Sequence, residues 1–218
     1  MKDLEAAKAH QIIFLKKLKS YKSPYTITIQ GVDIIVNPNV FPPVTDSQLM
    51  ASHINVKHGN RILDLTTGSG VFAVIAGLQG ASGIAVDLHK DAVINANQNF
   101  ARFKIDMKAI ESDLFENLTE EKFDWIFVNG PYTEGEVKEP LQLAFFGAKS
   151  FLTRLFQKAS SYLKADGKIL ITIAEWGELN LFEELAKKNG FSLKILGKKF
   201  SDNKRVYRLY ELKQKIKQ

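Results

Sequence analysis

The ten residues Arg61-Ile-Leu-Asp-Leu-Thr-Thr-Gly-Ser-Gly70 carry an apolar run into a glycine-rich turn, and 71–78 continue as an almost wholly apolar helix pattern. A strand that ends in an acid, a turn with two glycines and then a helix form the usual ligand-receiving edge of an open α/β sheet. Glycines let the backbone approach a bound group, and the first amides of the next helix face it. The alternative is an ordinary tight turn here and, at the end of the next strand, a helix-capping Asp87.

Outward from this turn the chain alternates. Strands are predicted at 61–66, 82–87, 107–112, 123–129 and 168–174, and helices at 70–78, 90–101, 145–163 and 178–189. Near-continuous apolar strands between helices indicate a parallel sheet covered on both faces. The end breaks the rhythm. Phe191–Phe200 and Val206–Leu212 both look like strands, joined by the polar turn Ser201–Lys204, which adds an antiparallel hairpin at the sheet edge. Upstream, 3–19 reads as a helix, with Leu4, Ala7, Ile12, Leu15 and Leu18 as its apolar stripe. Tyr25–Gln30 and Val32–Val36 read as a hairpin turning at Gly31. The proline-braced segment 37–48 then leads to a helix capped by Thr45, Asp46 or Ser47 and running to about Val56. The expected division is an N-terminal helix and hairpin appendage over 1–36 and one α/β domain over 37–218.

Composition bounds the rest. The chain has 218 residues, 45% apolar and 25% charged, and no cysteine, so disulfides and thiolate metal sites are excluded. Its four histidines show no metal-binding spacing, and no metal is expected. No stretch reaches the roughly 18 uncharged apolar residues that span a bilayer. The opening MKDLEAAKAH has no apolar export signal, so the expected location is cytoplasmic. The net charge of +6 is uneven: residues 1–22 hold six lysines and two acids, and 187–218 hold eleven lysines and arginines and two acids. Such flanks suit either a nucleic-acid-facing surface or plain solvated faces.

Three acids end successive strands at one edge. Asp64 precedes the turn, Asp87 ends the second strand where an acid accepts from ribose hydroxyls, and Asp113 follows the third. Asp113 could accept from an exocyclic amine while the Leu114 amide donates to a ring nitrogen, a pair that reads adenine. A third glycine of a dinucleotide fingerprint would fall at Ala73, which its looser form tolerates. The acids decide more: they would repel a pyrophosphate and suit a nucleoside with a cationic tail.

RILDLTTGSG, AVDLHKDAV, ESDLFE and IFVNGPY, in this order, resemble the motifs of class I S-adenosylmethionine-dependent methyltransferases. The likeness covers roughly 35–190 and is closest to the HemK-like, methyltransferase small-domain group with an Asn-Pro-Pro-Tyr motif, here Asn129-Gly130-Pro131-Tyr132. It implies a Rossmann-like, seven-stranded, mostly parallel sheet with helices on both faces and an antiparallel C-terminal hairpin. It also implies S-adenosyl-L-methionine as cofactor, its methionine portion in the loop that includes Asp64, Thr66, Gly68 and Gly70, its ribose at Asp87 beside Leu88, and its adenine at Asp113 and Leu114. Asn129 borders both the cofactor and the reacting group. Thr66 stands where the family has its first glycine; the expectation is an extended backbone with a locally bonded hydroxyl.

Members with this strand ending methylate a planar nitrogen. Such a nitrogen is a poor nucleophile because its lone pair is delocalised. By the resemblance the Asn129 side-chain oxygen and the Gly130 carbonyl accept its two N–H groups, and Tyr132 packs on the acceptor plane. Gly130 replaces a proline and keeps the carbonyl, at an entropic cost of about 1 kcal/mol; Pro131 still restrains it. The segment 41–49, FPPVTDSQL, resembles one that flanks the pocket in this group, which makes Phe41, Thr45 and Asp46 candidate lining, or else simply a braced loop. The acidic stretch 134–139 is a candidate substrate loop or a solvated one. The acceptor classes are a protein glutamine amide or an exocyclic amine of an RNA base, with a small-molecule amine third; a cofactor-binding protein without transfer is the non-enzymatic alternative. No membrane partner is expected.

Overall fold

A computed structural model describes residues 2–138, 140–202 and 204–215; among the expectations above, Leu4 and Ala7 lie outside its described side chains, and Glu139 and Asn203, the latter in the expected turn of the C-terminal hairpin, outside the described residues. The chain begins with α1 (Lys2–Ser20), followed by the hairpin β1 (Tyr25–Ile29) and β2 (Val32–Val36). Gln30 and Gly31 both have positive φ, 50° and 78°, the twist a two-residue hairpin turn needs. Then come α2 (Thr45–Ala51), β3 (Arg61–Asp64), α3 (Val71–Leu78), β4 (Ser82–Asp87), α4 (Lys90–Phe103), β5 (Met107–Glu111) and β6 (Phe123–Val128). The chain continues through a 3-10 turn at Pro140–Ala144, α5 (Ala148–Lys158), β7 (Leu163–Ala174), α6 (Leu179–Lys188), β8 (Phe191–Phe200) and β9 (Val206–Gln214).

Seven strands form one sheet in the order β5-β4-β3-β6-β7-β9-β8. β3 to β7 are parallel, while β9 runs antiparallel to both β7 and β8. One core holds α2, α3, α4 and the hairpin against the first face; the other holds α5 and α6 against the second. Burial on both faces explains why Ile62, Leu63, Ile126, Phe127 and Val128 run apolar without alternation.

The hairpin is tied down through polar groups. Asn99 and Asn95 on α4 are fully buried; Asn99 accepts from the Ile35 N–H at 3.1 Å and donates to the Ile35 and Ser69 carbonyls. Asn95 accepts from the Asn37 N–H at 2.8 Å and donates to the Ile35 carbonyl. One helix therefore fixes both the hairpin and the glycine-rich turn.

Several boundaries differ from the sequence expectation. α2 stops at Ala51, because Gln79 at the end of α3 takes the next segment, accepting from the Val56 N–H and donating to the Ile54 carbonyl. Its N-cap is Val44, in extended conformation and without a side-chain cap, instead of Thr45, Asp46 or Ser47. The helix expected over 145–163 is only Ala148–Lys158: Gly147 at φ 92° starts it, and β7 already pairs from Leu163. On α1 the inward face is Gln11, Leu15 and Leu18, with Phe14 half-buried against Phe41; Ile12, expected in the stripe, is 46% exposed.

Candidate functional site

The strand ends β3 to β6 open onto one cleft of about 570 Å³. The sheet order divides it. Loops after β3, β4 and β5 form one half; the turn after β6, the start of α2, α1 and residues beside β7 and β9 form the other. Phe41, Thr45, Asp46, Thr66, Gly68, Asp87, Leu88, Asp113, Leu114 and Asn129 to Tyr132 all line it.

Asp64 and Gly70 stand behind the wall. Asp64 is fully buried, accepting from the Thr67 hydroxyl at 2.8 Å and from the Ala73 N–H at 3.3 Å, so it secures the first turn of α3. Its Oδ1 is buried without a partner, and desolvation pushes the carboxyl up to about 7. Gly70 has φ 84°, and a Cβ there would come within 2.8 Å of the Phe100 ring and 3.1 Å of Ala96. The glycine lets α4 approach the turn.

Asp87 accepts from the Gly68 N–H at 2.9 Å and the His89 N–H at 3.0 Å. Burial raises its pKa against those bonds. Asp87 and Asp113 at the wall, with Asp64 buried behind it, make this half a poor place for an anion and a good one for a cation or a hydroxyl donor. His89 Nε2, also lining this half, is buried and unpartnered. Asp113 is half-buried, with Oδ2 held by Arg154 at 2.9 Å, a partner the sequence did not suggest. Leu114 is buried with φ 54°, an uncommon conformation for a γ-branched residue and one imposed by the tight loop.

Thr66 is not among the residues of positive φ, as expected for a β-branched side chain. Its hydroxyl bonds across the sheet edge instead of locally, accepting from the Asn129 N–H at 3.0 Å. That bond ties the turn after β3 to the turn after β6.

At the end of β6, Asn129 is held on every side. Its Oδ1 is 2.5 Å from both the Tyr132 hydroxyl and Thr172 Oγ1, and its Nδ2 is 3.3 Å from Ser47 Oγ. The Tyr132 hydroxyl also donates to Asp46 Oδ2 at 2.7 Å. Asp46 is buried, which raises its pKa, while bonds from Tyr132 and Ser47 oppose the rise. Tyr132 is driven well above its ordinary value by burial and by Asp46. Gly130 does not use a left-handed φ; its reason is space, since a Cβ would lie 2.4 Å from the tip of Phe151.

The far half is aromatic. Tyr132, Trp176 and Tyr207 pack edge to face or tilted at 4.9 to 6.4 Å, and Phe14, Phe41 and Phe145 form a second cluster. Two polar atoms on this side are buried without partners: Gln11 Oε1 on α1 and Trp176 Nε1 after β7. Sequence reading missed Gln11, Phe14, Ser47, Thr172 and Trp176. Only Ser47 and Thr172 had any signal, a hydroxyl beside a candidate acid and a hydroxyl inside an apolar strand. Among the described residues no group of three or more potential ligands could hold a metal ion, and no helix is long and apolar enough to cross a membrane.

Comparison with known proteins gives this geometry a context. Residues 32–191 match the methyltransferase small domain. A Methanocaldococcus jannaschii chain provisionally named a protein N5-glutamine methyltransferase is 31% identical over 178 residues, covering 78% of this chain and 89% of its own length. The release factor glutamine methyltransferase of Haemophilus influenzae is 30% identical over 167 residues, covering 67% of this chain but 56% of its own. Among solved structures, a 16S rRNA methyltransferase of T. thermophilus, in complex with S-adenosylmethionine and guanosine, aligns with a TM-score of 0.64 at 20% identity, over 88% of this chain and 50% of that one. That last likeness is one of fold.

Proposed function

We propose that this chain, which belongs to the methyltransferase small-domain family and is thereby an S-adenosylmethionine-dependent methyltransferase, acts on a planar nitrogen, with a glutamine side-chain amide of a protein as its acceptor. The observation that carries the reading is the Asn129–Tyr132 turn at the junction of the two halves, acidic on one side and aromatic on the other.

The cofactor fits the acidic half. Asp87 at the wall, an acid whose pKa burial raises, gains from a hydroxyl-bearing guest, and Asp64, buried behind the wall, adds a field that favours a cation there. In this reading the Asp64–Gly70 loop holds the methionine portion, Asp87 and Leu88 the ribose, and Asp113 with the Leu114 amide the adenine. Bound there, S-adenosylmethionine supplies a methyl group on a positively charged sulfur.

This chain's own residues then do three things. The Asn129 carboxamide oxygen and the Gly130 carbonyl accept the two N–H groups of the acceptor and so turn its lone pair toward the cofactor. That positioning in a dry, preorganised site lowers the barrier without a strong base, because the nitrogen loses its proton once the methyl group has arrived. The aromatic half, with Phe14, Phe145 and Tyr132, encloses a flat group and excludes water. Gln11 Oε1 and Trp176 Nε1–H offer the acceptor one more hydrogen-bond acceptor and one donor, the donor matching the carbonyl of a carboxamide.

A second reading, an exocyclic amine of an RNA base, draws on the basic segment 187–218 and on the fold shared with the rRNA enzyme. The test is incubation of the purified chain with methyl-labelled S-adenosylmethionine and an extract of cells lacking the protein. Label in protein, lost with Asn129→Ala while that variant still binds the cofactor, supports the amide; label in RNA supports the second reading. Transfer undiminished by Asn129→Ala contradicts the assignment of the site.

A further inference from the structure

Four oxygen atoms meet beside the acceptor position. The Tyr132 hydroxyl lies 2.7 Å from Asp46 Oδ2, 2.5 Å from Asn129 Oδ1 and 3.0 Å from Thr172 Oγ1, and Thr172 Oγ1 is 2.5 Å from Asn129 Oδ1. Asp46, Tyr132 and Thr172 are all buried, so these groups must satisfy one another. With Asp46 ionised the set holds only two hydroxyl protons, those of Tyr132 and Thr172.

Two arrangements satisfy the set. In the first, Asp46 is protonated and donates to Tyr132, and Tyr132 and Thr172 both donate to Asn129 Oδ1. Both lone pairs of that oxygen are then committed, and the NH2 faces Ser47 and the cleft. In the second, ionised Asp46 accepts a hydrogen bond from the Tyr132 hydroxyl, which keeps its proton. Tyr132 and Thr172 then offer oxygen lone pairs, and the carboxamide turns over so that its NH2 donates to both. The oxygen now faces Ser47 with a lone pair free. The two ends of a carboxamide have the same shape, so the turn needs no rearrangement of the backbone.

We propose that Asp46, acting through the Tyr132 hydroxyl, is the positioning residue that sets which end of the Asn129 carboxamide faces the acceptor. This rests on Asn129 accepting an acceptor N–H: only the second arrangement leaves an oxygen lone pair for it, and the first presents an NH2 that repels it. Asp46 is therefore required in its ionised form.

The surroundings leave that ionisation to the hydrogen bonds. Tyr207, raised by burial and by Asp46, faces it from β9, with Arg205 beside Tyr207. Arg208 and Lys198 are held by Glu175, Lys199 by the Gln48 side chain, and His53 by the Leu49 carbonyl. No lysine or arginine pairs with Asp46 among the described residues. Burial thus moves the interchange of the two arrangements to a higher pH than a surface carboxylate would give.

The test measures kcat at saturating cofactor from about pH 4 to 9 for the parent, Asp46→Asn and Tyr132→Phe, together with cofactor Kd. In parallel, the Asn129 side-chain NH2 signals, identified by their loss in Asn129→Asp, are followed by NMR over the same range. The expected result is an acid limb in the parent at the pH where those signals shift. Both variants lose about tenfold or more in kcat, keep the parent's cofactor Kd, and give NH2 signals indifferent to pH. NH2 signals in the parent that do not respond to pH overturn the proposal whether or not methyl transfer is observed. So does Tyr132→Phe with the parent's kcat and acid limb, should Asp46→Asn fail to fold. A parent that shows the NH2 titration but methylates nothing contradicts the proposed function instead.

Discussion

Asp64 links the sequence motif to a measurable property. Its carboxyl is pushed up to about 7 because it is buried with one oxygen unpartnered. The folded value lies above the unfolded one of about 4, so folding favours the protonated form. This contribution to stability is full below about pH 4 and is lost as the pH rises through about 7. The stability of Asp64→Asn relative to the parent should therefore improve between those limits, by up to a few kcal/mol, in denaturant unfolding without ligand. A difference that does not change with pH would contradict the burial argument. S-adenosylmethionine should narrow the gap, since a nearby cation favours the ionised acid. Of this residue the sequence shows the acid and its place before the turn; its burial, and the bonds to Thr67 and Ala73, arise only when the strand is covered from both faces.

At the scale of elements, the turn after β6 and helix α5 form a matched pair. Gly130 leaves a space that the tip of Phe151 fills, so the missing proline is compensated by a ring from the next helix. Gly130→Pro should therefore lower stability by about 1–3 kcal/mol, the overpacking cost, and adding Phe151→Leu should return part of it. Equal stabilities for the single and double variants would show that the ring does not determine the glycine. Helix α1 makes a second case. Phe14 packs on Phe41 at 5.6 Å and Phe145 at 6.4 Å, and the Arg205 guanidinium donates to the Ala6 carbonyl at 2.7 Å, closing the far half of the cleft. Phe14→Ala should raise the acceptor KM several-fold, on the order of 1 kcal/mol of lost contact, and leave the cofactor Kd unchanged. A matching loss of cofactor affinity would contradict the division of the cleft. The helix pattern of α1 is plain in the sequence, but its place over the site is not, because two of its partners there, Phe145 and Arg205, lie more than a hundred residues away.

For the whole molecule, local signals and distant contacts divide what could be read. The alternation of strands and helices, the three acids at successive strand ends and the NGPY turn are properties of short segments, and all of them sit at one sheet edge. The ring of hydroxyls about Asn129 gathers Ser47, Tyr132 and Thr172 from three separate elements, and no spacing announces it. The basic C-terminal segment acquires a plain structural use: β8 is the outer strand, and its lysines at 194, 198 and 199 guard an edge that would otherwise invite pairing. The fold is shared with enzymes that methylate RNA, so the acceptor is decided by chemistry at the cleft. The most direct measurement is the fate of label from methyl-labelled S-adenosylmethionine after transfer and acid hydrolysis of the purified protein product. A methylated glutamine amide releases its label as methylamine, and that is the predicted result, abolished by Asn129→Ala. Label recovered on RNA bases, or on protein in a form that acid hydrolysis does not release as methylamine, would contradict it.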